Sequence, residues 1–275
     1  MVTEGPMLSY RHAFHAGNPA DVHKHAVFCA ILESLCEKPK PLTVIDVYAG
    51  AARYDLTGPE AAKNREFETG IGRIMGGGDA ALELYRRSVR SANPTGRLSV
   101  YPGSPALALS LMRPKDCLIV NELHPTDSAN LRRWARNDPR VHVHSRDAIE
   151  ALTALLPPKI RRGVVLIDPP YEVKSDYEAV AKTLPTALQR WPQGTIMIWF
   201  PVLAEKRHEA ILSAVSALDQ SSTLVSIIKL KPPPQDQGLL ASGIALVNPP
   251  WQFGQRLDDI EHALKTAFAP LTRGA

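Results

Sequence analysis

The run VVLIDPPYE, residues 164–172, closes an apolar stretch with an acid, two prolines and an aromatic ring. Prolines carry no N–H and fix φ, so they leave the Asp168 carboxylate and the Pro169 carbonyl as a rigid pair of acceptors with few competing donors. A planar amino group offers two N–H donors to such a pair, and Tyr171 can stack on the ring that bears it. The lone pair of an aromatic amine is delocalised into its ring. Accepting both hydrogens favours a more tetrahedral nitrogen that can attack a methyl donor, which is catalysis by positioning and electrostatics. IALVNPPW repeats the spelling as Asn248-Pro249-Pro250-Trp251. Proline also simply ends strands, and for this second copy the plain strand end is the expectation.

Asp168 has company. Asp46, Glu122 and Asp147 each close another apolar run, and open α/β sheets take their ligands beyond the carboxyl ends of the strands. A rim of four carboxylates suits a ligand that is cationic or rich in hydroxyl and amino donors. Glu122 is placed to take a ribose diol. In the turn DVYAGAARY, the small residues at 49–52 let a ligand approach the backbone. The G-x-G-x-x-G spacing of a pyrophosphate loop is absent, which disfavours a nicotinamide oxidoreductase.

These residues need a frame. Asn18-Pro19-Ala20-Asp21 reads as a helix start, with Asn18 as cap, and predicts a helix to about Glu37. PLTVIDVYAG is a buried strand ending at Asp46, and six later apolar runs continue the rhythm: DCLIVNEL, RVHVHSRD, GVVLIDPP, TIMIWFP, TLVSIIKL and GIALVNPP. Helical segments between most of them predict an α/β sheet covered on both faces. KPPPQDQGLLAS reads as a loop, so 223–231 and 243–248 are expected to pair antiparallel at the sheet edge, with Asn248 on that edge. Asp168 falls on the central fourth strand. Residues 53–100 break the rhythm and read as two polar helices, about 60–75 and 79–92, hinged at Gly76-Gly77-Gly78-Asp79. The chain is thereby divided into 1–52, a helical insert at 53–100, and 101–275.

With 44% hydrophobic and 22% charged residues the composition is that of an ordinary globular chain. Three cysteines without C-x-x-C spacing argue against a disulfide framework or a zinc site. No apolar run is long enough to span a bilayer, and MVTEGPMLSYRH lacks the regions of a signal peptide, so a cytoplasmic protein is expected. The net charge of +4 permits a polyanionic partner, and three arginine clusters favour nucleic acid: Arg86, Arg87 and Arg90; Arg132, Arg133 and Arg136; Arg161 and Arg162.

MLSYRHAFHAGNPADVHKH, DVYAGAARY, YPGSP, NELHP, RRGVVLIDPPYE and ASGIALVNPPW, in this order, resemble class I S-adenosylmethionine-dependent methyltransferases. More closely, they resemble the bacterial 23S ribosomal RNA adenine-N6 methyltransferases of the RlmJ type. The resemblance runs from Met7 nearly to the end. It leaves out MVTEGP, which is expected to have no role. It implies a Rossmann-like seven-stranded sheet whose last strand is antiparallel, with a small helical insert. It further implies S-adenosylmethionine as cofactor, 23S ribosomal RNA as partner and no obligate protein partner. By position it makes His25, Tyr48, Ser104, Glu122, Asp147, Ala148 and Asp168 cofactor contacts, Tyr10, His12 and Lys24 substrate contacts, and Asp168 with Pro169 and Tyr171 the catalytic set. Ser104 also reads as the cap of the helix that Pro105 opens. The family pattern has histidine where Tyr48 stands and glycine where Ala52 stands. Tyr48 can still pack on the methionine part, whereas Ala52 narrows the loop. His12, His15, His23 and His25 are close together, but acids at helical spacing do not accompany them, and methyl transfer to nitrogen needs no metal. DNA adenine or a protein glutamine amide is the nearest rival substrate, with Asp168 speaking for adenine. A non-catalytic RNA-binding module is the rival of another class.

Overall fold

A computed structural model describes residues 11–219, 222–230 and 238–269. In chain order its strands are β1 (Thr43–Asp46), β2 (Arg53–Asp55), β3 (Val100–Pro102), β4 (Cys117–Asn121), β5 (Val141–His144), β6 (Gly163–Ile167), β7 (Thr195–Val202), β8 (Thr223–Lys229) and β9 (Ala241–Val247). Seven of them make one sheet in the order β5-β4-β1-β6-β7-β9-β8. The first five are parallel, and β9 runs antiparallel to both its neighbours. Helices cover both faces, so β1, β6 and β9 are buried at every position. This is why they read as unbroken apolar runs rather than alternating ones.

The antiparallel pair forms as expected, but β9 lies inside the sheet and β8 is the edge. The reversal also sets the end at which Asn248 emerges. Val247 lies opposite Ile196, near the start of β7, so Asn248 leaves the sheet at the end away from Asp168. There its amide donates to the Pro192 and Gly194 carbonyls at 2.8 and 3.1 Å. Its demotion stands, for a different reason from the edge position first assigned to it.

α1 (Pro19–Cys36) begins as predicted, with the Asn18 side chain accepting from the Asp21 amide at 2.8 Å. It is buried on all sides from Ala20 to Leu32, including Asp21, His23, Lys24 and His25. Polar groups in such a position need partners. His23 faces the sheet and meets Ser242 and Ser226 at 2.9 and 3.0 Å, well away from substrate chemistry.

The excursion between β2 and β3 departs from the two-helix reading. Those strands pair antiparallel at its base. The first predicted helix is three short ones, α2 (Pro59–Asn64), α3 (Glu66–Thr69) and α4 (Ile71–Met75). Arg65, at φ 51°, separates the first two. Gly70 separates the last two because the chain is drawn against the turn before α1: the Ile71 amide donates to the Gly17 carbonyl at 2.8 Å, and a Cβ on Gly70 would sit 2.1 Å from that oxygen. A tertiary contact thus interrupts a sequence that local propensity would continue. Asp79 caps a 3₁₀ turn that leads into α5 (Glu83–Ser91). The remaining helices are α6 (Ser104–Leu111), α7 (Pro125–Ala135), α8 (Ala148–Leu155), α9 (Asp176–Arg190), α10 (Glu209–Ser216) and α11 (Phe253–Phe268).

Candidate active site

A cavity of about 500 Å³ opens at the carboxyl ends of β1, β4, β6 and β7, closed on one side by the first turns of α1. Asp168 enters it from the end of β6, and its Oδ2 accepts from the Lys24 ammonium at 2.5 Å. Lys24 also meets Asp21 at 2.9 Å. Asp21 in turn accepts from the Gly17 amide at 2.9 Å and contacts His12 Nε2 at 2.8 Å. The side chains of His12, Asp21, Lys24 and Asp168 make one contiguous line in the cavity lining. Burial opposes the Lys24 charge, but Asp168 and Asp21 outweigh it and raise the ammonium above its ordinary range. Burial likewise opposes ionisation of Asp21, yet His12 and Lys24 hold it well below the usual carboxylate value. Lys24 and its two acids stabilise one another, so removing one leaves a buried charge short of a partner.

Asp168 Oδ1 and the Pro169 carbonyl are left without partners among the described residues. After the prolines, Tyr171 takes φ 53°, a left-handed conformation that costs a non-glycine residue about 1–2 kcal/mol. It is held there from the far end. Its hydroxyl donates to the Trp199 carbonyl at 2.6 Å, and its ring packs on Tyr177 with centroids 4.3 Å apart. In NPPW the left-handed residue is the first one, Asn248 at φ 51°, so the two tetrapeptides share letters but not backbone.

The loop after β1 is shaped from across the sheet. Glu122, at the end of β4, accepts from the Gly50 amide at 2.8 Å and from the His124 amide at 2.7 Å. Gly50 has φ 60°, and a Cβ there would strike the Tyr54 hydroxyl at 2.1 Å. Burial raises Glu122 despite those two amides. Asp147 caps α8 through Oδ1, which accepts from the Ile149 and Glu150 amides, and Ala148 follows it in the cavity wall. Tyr48 is half-buried beside them, and burial pushes its hydroxyl up.

Two expectations about this half change. Asp46 does not join the rim: it is buried beneath the cavity, where Oδ2 accepts from the Ser104 hydroxyl at 2.6 Å and Oδ1 from the Tyr48 amide at 3.1 Å. Burial lifts it to about 7 in spite of both bonds. Ser104 is not the cap of α6 either. Gly103 holds that position, and Ser104 is the first helical residue, tied by its side chain to Asp46. The rim is therefore Glu122, Asp147 and Asp168, with Asp127, Glu172 and Asp176 added from α7, the loop after Tyr171 and α9.

His12, Lys24, His25, Tyr48, Ser104, Glu122, Asp147, Ala148, Asp168, Pro169 and Tyr171 all line the one cavity. Tyr10 lies outside the described residues, as do residues 1–9 before it. Lys24 is buried and paired with Asp168. Asp21 and Trp199 line the same cavity and escaped the sequence reading. Asp21 was visible only as a first-turn helix acid, and Trp199 carried no signal beyond its place at a strand end. The arginine clusters divide: Arg86 is buried against Glu83 and the Asp79 carbonyl, and Arg162 binds the Leu35 and Lys40 carbonyls. Arg132, Arg133 and Arg136 stay exposed on and just after α7. Among the described residues no group of histidines, cysteines and acids is arranged to hold a metal.

Comparison with known proteins places this cavity in a context. The sequence profile of the family described as "Ribosomal RNA large subunit methyltransferase D, RlmJ" matches residues 39–275. Ribosomal RNA large subunit methyltransferase J of Escherichia coli (strain K12) is 40% identical over 270 residues, covering 98% of this chain and 96% of that protein. The protein of the same name from Haemophilus influenzae is 37% identical over 272 residues, covering 98% and 97%. A crystal structure from Legionella pneumophila str. Philadelphia 1 superposes with a TM-score of 0.85 at 32% identity, covering 93% of this chain and 95% of that one.

Proposed function

This chain belongs to the RlmJ family of ribosomal RNA large subunit methyltransferases, and on that premise we propose that it methylates N6 of an adenine in 23S ribosomal RNA. The observation that carries the reading is the acceptor pair at the end of β6: Asp168 Oδ1 and the Pro169 carbonyl, both unpartnered among the described residues, in the lining of a cavity of about 500 Å³.

The methyl donor is S-adenosylmethionine, and the residues present fit it. The loop after β1 is folded back by Glu122 and kept clear of side chains at Gly50. Glu122 and Asp147 face the cavity with acceptors suited to hydroxyl and amino groups. His25 has one buried ring nitrogen, Nε2, without a partner among the described residues. When bound, the cofactor supplies an electrophilic methyl group on a sulfonium.

The chain's own part is to present the amine. An adenine extruded from the RNA donates its two amino hydrogens to Asp168 Oδ1 and the Pro169 carbonyl. The prolines keep competing amide donors away from that pair. Holding both hydrogens favours a tetrahedral nitrogen and stabilises the positive charge that develops on it. Lys24, bonded to the other carboxylate oxygen, keeps Asp168 aimed, and Tyr171 and Trp199 supply aromatic surface beside the base. The exposed arginines on α7 hold the phosphate backbone. No described helix is long and apolar enough to cross a membrane, and we place the enzyme with its RNA in the cytoplasm.

Asp168→Ala and Asp168→Asn should each lower methyl transfer into 23S ribosomal RNA by at least about 100-fold. Both should still fold and bind S-adenosylhomocysteine, with Asp168→Ala melting at a lower temperature because Lys24 keeps only Asp21 as its counter-charge. Wild-type turnover in Asp168→Ala would overturn the assignment.

A further inference from the structure

A chain of buried polar groups runs from α5 to the cavity wall. The Tyr85 hydroxyl, on α5, lies 2.9 Å from the Tyr101 hydroxyl on β3, and Tyr101 lies 2.6 Å from His25 Nδ1 on α1. Tyr85, Tyr101 and His25 are each about 1% exposed or less. His25 Nε2 is buried and has no partner among the described residues.

Counting hydrogens sets the direction of this chain. Burial, reinforced by the neighbouring Lys24 charge, holds the His25 pKa well below its ordinary value, so the imidazole is neutral and carries one hydrogen. If that hydrogen sits on Nδ1 it must point at Tyr101. Tyr101 then donates to Tyr85, and the Tyr85 hydrogen has no acceptor, while Nε2 is a bare acceptor. If Tyr85 donates to Tyr101 and Tyr101 to Nδ1, both hydroxyl hydrogens are used. The single remaining donor is then Nε2–H. Each arrangement leaves one donor unmade, and the first leaves Nε2 an empty acceptor as well. Tyr85 lies outside the cavity wall, where no ligand meets its hydrogen, whereas His25 lines the cavity, so the second arrangement is favoured when a ligand is bound. A neighbour's hydrogen bond commonly fixes an imidazole tautomer in this way.

We infer that Tyr101 and Tyr85 are positioning residues that lock His25 as an Nε2–H donor for the carboxylate of the cofactor's amino-acid part. The inference rests on the proposed use of S-adenosylmethionine. The placement agrees with the charges around it. The Lys24 charge neighbours His25, and Ser104, at the start of α6, lines the same cavity. Tyr85 also gives the helical excursion a part in cofactor binding, although it lies outside the cavity wall.

Calorimetry on the full chain tests this with three ligands: S-adenosylmethionine, S-adenosylhomocysteine, and 5′-methylthioadenosine, which has no carboxylate. Tyr101→Phe keeps the ring and removes the hydroxyl. It should weaken the first two ligands about tenfold and leave 5′-methylthioadenosine within about twofold, which also shows that the variant is folded. Tyr85→Phe should do the same more weakly, because Tyr101 keeps its donor. Nitrogen NMR should find His25 protonated at Nε2 in the wild type and as a tautomer mixture in Tyr101→Phe. The inference is overturned by equal loss for all three ligands, by unchanged S-adenosylmethionine affinity in Tyr101→Phe, or by an Nδ1–H wild type. Wild-type protein that binds 5′-methylthioadenosine and S-adenosylmethionine equally well also overturns it. Wild-type protein that binds none of the three would instead remove the cofactor assignment on which it rests.

Discussion

Beneath Asp168, the proposed acceptor of the amine, lies a second acid whose protonation is displaced upward. Asp46 is lifted to about 7 by burial, against the Ser104 hydroxyl and the Tyr48 amide. Its folded value is above the roughly 3.9 of an unfolded chain, so between those values the folded state holds more protons. Stability from this group is present below about pH 4 and is lost as pH rises through about 7. Asp46→Asn keeps the shape and cannot ionise. Its unfolding free energy should be flatter across that window, and relative to wild type it should gain a few kcal/mol more at pH 8 than at pH 5. Chemical denaturation at a series of pH values measures this, and parallel curves for the two proteins would refute it. The same position marks a limit of reading residues one at a time. An acid at a strand end is visible in the sequence, but whether it faces the ligand or Ser104, 58 residues away, depends on which side of the turn the helix packs.

At the scale of elements, the strands of the seven-stranded sheet and α1 were legible because apolar runs and the Asn18-Pro19 cap are local signals, whereas the short pair β2 and β3 was not read. The break of the first insert helix at Gly70 and the seat of β9 between β7 and β8 were not, because both depend on contacts with distant segments. The two Pro-Pro motifs illustrate the same point. Each ends a buried strand, but antiparallel β9 delivers Asn248 to the opposite end of the sheet, where it ties down the turn before β7. Asn248→Ala removes two hydrogen bonds and a residue tolerant of φ 51°. It should destabilise the protein by about 1–2 kcal/mol without changing methyl transfer per folded molecule. A thermal melt paired with a turnover assay reads both quantities. A specific loss of turnover would show that the second motif takes part in the reaction. Ala52, at φ 66° and fully buried, has a mixed effect. Its backbone strain of about 1 kcal/mol is offset by about 0.8 kcal/mol from a buried methyl, so alanine is tolerated where the family pattern has glycine.

At the scale of the whole molecule, the cavity gathers groups from nearly the whole chain: His12 and Lys24 near its beginning, Glu122 in the middle, Asp168 and Trp199 beyond. Glu122 and Asp168 were legible because sheet topology requires strand ends to converge, whereas His12 and Lys24 came only from the family resemblance and Trp199 was missed. The sequence could not show the Lys24–Asp168 pair, whose members are 144 residues apart. RNA engagement also belongs to this scale. Arg132, Arg133 and Arg136 are exposed on the helix whose first turn borders the cavity. Replacing all three with serine should lower RNA affinity and reduce the steepness of its salt dependence by about 2–3 in log–log slope. Cofactor affinity should be unchanged. An unaltered salt slope would remove this face from the RNA path.

The central claim concerns the atom that receives the methyl group. Unmethylated 23S ribosomal RNA would be incubated with the purified protein and isotope-labelled S-adenosylmethionine, digested to nucleosides and analysed by mass spectrometry against standards. The label should appear in N6-methyladenosine. Label in another methyladenosine isomer, or in a different base, would contradict it.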